Sequence, residues 1–126
     1  MSAYCVAADL YARFGTSNIT TWATLTSGDS EATRTARITE AIAVASDELD
    51  EVLRTAGGGA YEGKLPISTV PDSVTDKVAI RAGLWLYGFR ATDDFGDSTG
   101  YPQWMWKQYR TWLNEVHTGY RKLEIL

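Results

Sequence analysis

The sequence predicts an all-α fold: a small bundle of about five helices with a long third helix, a Gly-rich loop and an extended C-terminal tail. Three observations carry this. Ile38, Ile42, Ala45, Leu49, Val52 and Leu53 recur at steps of three and four, the spacing of one helical face. Val78 to Phe89 is apolar nearly all round, as in a helix covered by its neighbours. Gly15, the Gly57-Gly58-Gly59 run and Gly119 stand where amphipathic stretches stop, and glycine adopts positive φ at little cost.

Taken in order, Ala7 to Phe14 forms a first short helix with Leu10, Tyr11 and Phe14 on one side. Thr16 or Ser17 caps a second, which carries Ile19, Trp22 and Leu25. A polar loop, Thr26 to Ser30, leads into the long helix from about Glu31 to Thr55. Glu40, Asp47, Glu48, Asp50 and Glu51 lie mainly off its apolar stripe. Residues 57–70 read as a flexible loop, long enough to suggest a function. Pro71, with Asp72 or Ser73 as cap, starts the fourth helix. That helix is the central element, and its Gly83 and Gly88 suit close approach of a neighbour. After a polar turn from Asp93 to Gly100, a fifth helix runs from about Pro102 to Thr118. Its apolar face holds Trp104, Met105, Tyr109, Trp112, Leu113 and Val116. Residues 120–126 alternate apolar and charged, the period of an extended arm that either folds back over the bundle or pairs with another chain.

At 126 residues the chain reads as one domain, residues 1–126, able to bury roughly two thirds of its unfolded surface. Five Trp and seven Tyr are a high aromatic load, suited to cores and to interfaces. The net charge of -4 argues against a dedicated nucleic-acid binder, which needs clustered Lys and Arg. Acids concentrate in the third helix, whereas Lys107, Arg110, Arg121 and Lys122 make the C-terminal end mildly basic. The two could meet between subunits, or both could be solvated faces. No signal-peptide pattern and no membrane-spanning stretch is evident, which suits a protein made in the cytoplasm.

No motif assembles an active site, and the expectation is no enzyme, no cofactor and no metal. Gly58 to Lys64 fits G-x-x-x-x-G-K, but Leu65 stands where the magnesium-holding hydroxyl belongs and Leu65-Pro66 where a helix should start. Asp93-Asp94-Phe95-Gly96-Asp97 breaks the ligand alternation of a calcium loop at Phe95. Cys5, the only cysteine, reads as a small buried residue, and His117 sits favourably in a last helical turn. Trp104 and Trp112 fit the core face of the fifth helix. Trp106 points away from it, toward an interface or a satellite contact within the monomer.

The opening Tyr4-Cys5 with Asp9-Leu10 and Arg13-Phe14-Gly15 is joined by Ile38, Ala41, Ile42, Ala45 and Asp47-Glu48-Leu49-Asp50. Tyr61, Leu65-Pro66, Val70-Pro71, Ala79, Arg81-Ala82, Leu86-Tyr87 and Arg90-Ala91-Thr92 follow in order. In these residues, across almost the whole chain, the sequence resembles the Mu-like phage head-tail adaptor family. The Trp-rich final helix and the glycines of 57–64 depart from the family pattern.

The resemblance implies a virion structural protein without chemistry of its own, assembled in the host cytoplasm and placed at the neck between capsid and tail. It would bind beneath the portal protein, form a dodecameric ring that extends the DNA channel, and present a docking surface to a tail-side neck or tail-completion protein. Genome DNA would pass through the lumen without sequence-specific binding, and no membrane is involved. Candidate partner-binding residues are the tail arm Tyr120, Arg121, Lys122, Leu123, Ile125 and Leu126. Gly58, Gly59, Tyr61, Lys64 and Leu65 are candidates to face the channel or a neighbour. Glu48, Glu51, Trp106, Lys107 and Arg110 are the inter-subunit candidates. A neck stopper or tail-completion protein is the alternative, and a small helical DNA-binding regulator stands behind both.

Overall fold

The computed structural model describes residues 3–59, 61, 63–90, 101–121 and 123. The chain order is α1 (Ala7–Phe14), α2 (Thr16–Ala23), α3 (Glu31–Thr55), a single 3-10 turn (Ala56–Gly58), α4 (Asp72–Arg90) and α5 (Tyr101–Thr118). No strand occurs among the described residues, so the fold is all-α. The expected polar turn of 93–100, with its calcium-like acids, lies outside them.

The helix boundaries follow local chemistry. Asp9 closes the start of α1 by accepting the Val6 N–H at 2.8 Å. Gly15, at φ 91, both ends α1 and opens α2, a corner that a side chain would strain. The Ser30 hydroxyl caps α3 by accepting the Thr33 N–H. Between α2 and α3, Asp29 accepts the backbone N–H groups of Leu25 and Thr26 and pairs with Arg37.

Helix α4 is the axis of the packing, touching α1, α2, α3 and α5. Val74, Val78, Ile80, Leu84 and Leu86 are buried on it, as expected of an all-round apolar helix. Gly83 lets α1 lie against it. A Cβ there would meet the Phe14 ring at 2.2 Å, and Phe14 is held in place by an edge contact with Trp22. One hydrophobic cluster runs from Tyr4 and Leu10 through Ile42, Leu49 and Leu53 to Met105, Tyr109, Trp112 and Val116.

Two expectations change. Asp50 does not lie off the apolar stripe of α3; it is buried, together with Ser46. The Tyr4 hydroxyl donates to Asp50 and accepts the Ile67 N–H, while the Tyr4 N–H donates to Ser46 Oγ. Thr75 adds a hydrogen bond to the Tyr4 carbonyl. A buried carboxylate is tolerable only with such partners. The same contacts correct the flexible loop: Ile67 and Tyr61 are buried, and Leu65 packs against the core. Cys5 is buried as expected, and burial, reinforced by nearby Asp9, pushes its thiol up to about 12.

Candidate partner-binding surfaces

Helix α5 carries three stripes, and their phases decide what each tryptophan does. Met105, Tyr109, Trp112 and Val116, at steps of four, three and four, are all buried. One residue earlier runs Trp104, Gln108, Thr111 and Glu115, which lines a groove of about 500 Å³ with Ser73 and Lys77 of α4. One residue later, Arg110, Leu113 and His117 line a smaller groove facing Val52 of α3. Trp104 therefore does not join the core. It is 54% exposed, because it sits 100° round the helix from Met105 rather than on its line.

Trp106 takes the satellite contact within the chain. The Arg81 guanidinium lies 4.8 Å from its ring centroid, and Arg110 lies at 5.9 Å on the same ring. Trp106 also stacks on Tyr109 at 6.1 Å. Arg81 in turn holds Glu48, Nε to Oε1 at 3.1 Å, and the Tyr109 hydroxyl donates to the same oxygen at 2.6 Å. Burial first, then the carboxylate of Glu48, raises the Tyr109 phenol far above its ordinary range. Glu48 is thus turned to a half-buried ion pair inside the chain, with its side chain 33% exposed. Glu51, Lys107 and Arg110 are exposed.

The loop and tail residues divide in the same manner. Gly58 and Lys64 are exposed, Gly59 and Leu65 half-buried, and Tyr61 is buried. The Tyr61 hydroxyl accepts the Leu123 N–H at 2.7 Å, and Leu123 is buried beside it. At this point the tail folds back over the bundle, the first of the two arrangements its periodicity allowed. Tyr120 is 84% exposed, and Arg121 is exposed while paired to Glu115 at 3.2 Å. Lys122, Ile125 and Leu126 lie outside the described residues.

The phosphate-loop resemblance has no structural support. Positive φ at Gly58, Gly59 and Gly63 makes turns, and α4 starts only at Asp72, past the point where a phosphate-binding helix would begin. No group of three or more His, Cys, Asp and Glu is placed to hold a metal among the described residues. His117 meets Thr55 Oγ1 at 3.3 Å. No helix of the described residues is long and apolar enough to cross a membrane.

Sequence reasoning missed Tyr4, Asp50, Arg81 and Trp104 as residues with particular work. The stripe phase of α5 was a signal that could have found Trp104.

No curated protein and no solved structure matches the chain. A family model does match, over residues 4–125, and its description is "Bacteriophage Mu, Gp36". The match takes in all five helices and the grooves between them, so this chain belongs to that bacteriophage family.

Proposed function

We propose that this chain is a head-tail adaptor of the virion. In this reading it binds beneath the portal protein, forms a dodecameric ring that extends the DNA channel, and offers its outer face to a tail-side neck or tail-completion protein. The observation that carries the reading is the family match across residues 4–125, a bacteriophage family spanning nearly the whole helical chain. Its fold favours an assembly role: the core organises around α4 and leaves Trp104 exposed in a groove with Lys77, Lys107 and Arg121, and Tyr120 exposed beyond the end of α5. Aromatic and Arg side chains of that kind are enriched where proteins meet. Of the loop candidates, Gly58 and Lys64 are the exposed ones that would face a neighbour or the channel.

The test is cryo-electron microscopy of the virion neck, with this chain assigned to density. A ring of it directly beneath the portal supports the adaptor. Density on the far side of another ring favours the stopper or tail-completion role, and absence from purified virions overturns the structural reading.

A further inference from the structure

Two grooves of opposite charge flank the first half of α4. On the α1 side, Asp9, Arg13, Asp72 and Asp76 line a groove of about 360 Å³. Arg13 answers only one of those acids, Asp76, at 3.7 Å. On the α5 side, Lys77, Lys107 and Arg121 line the groove of about 500 Å³ that also holds exposed Trp104. There Glu115 answers Arg121, whereas Lys77 and Lys107 have no ion-pair partner among the described residues. Asp72 and Asp76 occupy one line of α4, and Ser73 and Lys77 the line 100° beside it. The two grooves are thus different surfaces of one molecule, of opposite net charge.

We propose that the basic, tryptophan-bearing α4–α5 groove of one copy receives the acidic α1–α4 face of the next copy. The contact is head-to-tail: it uses two different patches, and each copy keeps one of each available. Such heterologous contacts propagate, closing into a ring where the rotation allows. Charge complementarity selects the partner and its orientation, and Trp104 supplies the apolar anchor between the lysines. The inference deepens the adaptor reading and rests on it for the ring, while the pairing itself can be tested without the virion.

The experiment uses the full chain at high concentration and low salt, as a mixture of 14N and 15N protein joined by a zero-length carboxyl-to-amine cross-linker. The expected products are mixed-isotope peptides linking Asp72 or Asp76 to Lys77 or Lys107, lost when salt screens the contact. Sedimentation of wild type should give a series extending beyond two copies. K77E/K107E and D72K/D76K should each associate about tenfold more weakly alone, and mixing them should restore association, because every contact between unlike variants again sets acid against base. Mixed-isotope links confined to other residues, a wild-type series that stops at two, or no mixed links at all would each overturn the pairing. Retention of the chain on short duplex DNA that K77E/K107E abolishes, without mixed links, would overturn it in favour of nucleic acid. A neck ring whose links lie elsewhere defeats this pairing and leaves the adaptor; the expected links in a chain absent from virions do the reverse.

Discussion

The region around Tyr4 and the groove around Trp104 are built from similar residues and do opposite things. Each sets an aromatic beside charged groups. Around Tyr4 the ring is 4% exposed, and its hydroxyl joins a buried carboxylate to the backbone of a distant loop. Around Trp104 the ring stands half in solvent, in a groove where Lys77 and Lys107 have no ion-pair partner among the described residues. The difference teaches that internal completeness, rather than residue type, separates structure from interaction surface. A polar group that has found its partners inside the chain stabilises the fold, and one that has not is available to another chain.

The sharpest way to break that comparison lies on α5 itself. Trp112→Ala should destabilise by about 3–5 kcal/mol, the cost of truncating a buried aromatic. Trp104→Ala, eight residues away, should stay within roughly 0.5 kcal/mol. Urea unfolding of the two variants measures both, and equal losses would mean that the groove belongs to the core.

Next in size is Gly83→Val. The added side chain must displace the Phe14 ring, which sits buried against Trp22, so a loss of about 1–3 kcal/mol or more is expected despite better helix propensity. Tyr4→Phe should cost about 2 kcal/mol by removing a donor to buried Asp50 and an acceptor for Ile67. Its shape is otherwise preserved. If thermal melting shows no loss, water has replaced the hydroxyl and the loop is not tied through it.

Much of this fold was legible in the sequence, and the reasons are local. The α3 stripe from Ile38 to Leu53, the glycine corner at Gly15 and the apolar run of α4 each depend on neighbours within two turns. What stayed hidden depends on distant partners. A carboxylate such as Asp50 reads outward in the sequence, and only the fold brings Tyr4 to it, 46 positions away. The loop of 57–70 looked free because nothing nearby in sequence could hold it, yet Tyr4 and Leu123 reach it from opposite ends of the chain. Trp104 reads onto the core face for a subtler reason: steps of three and four admit two adjacent lines on a helix, and the polar Gln108, Thr111 and Glu115 that share its line are the signal, matched by the burial of Met105 and Tyr109, that it belongs to the outer one.

Glu48 and Glu51 sharpen the comparison on a single helix face. If acids line a DNA channel, reversing either charge should disturb DNA ejection. Glu48→Lys, however, also sets a cation against Arg81 and removes the acceptor of Tyr109, so about 1–2 kcal/mol of stability should go with it. Exposed Glu51→Lys should change stability by less than roughly 0.5 kcal/mol. An ejection defect in Glu51→Lys with an unchanged melting curve is therefore the informative result. A defect seen only in Glu48→Lys reports on the fold.

At Asp29 a small effect is expected, and its sign is fixed by hydrogen bonding. Arg37 first, then the N–H groups of Thr26 and Leu25, hold this carboxyl well below the usual carboxylate range. A depressed pKa means that the folded chain favours the ionised form more than the unfolded chain does. The stabilisation is therefore present above about pH 4, the ordinary aspartate value, and fades as pH falls toward the lowered one. Asp29→Asn should lower the urea midpoint slightly at pH 7, and the gap to wild type should narrow on acidification. A gap that stays constant from pH 7 to pH 3 would mean that the α2–α3 loop is held by its backbone and Arg37–Ala23 contacts, with the charge of Asp29 contributing nothing. Because this carboxylate is already paired within the chain, the substitution should leave the cross-linking pattern between copies untouched, unlike reversal of Asp72 and Asp76.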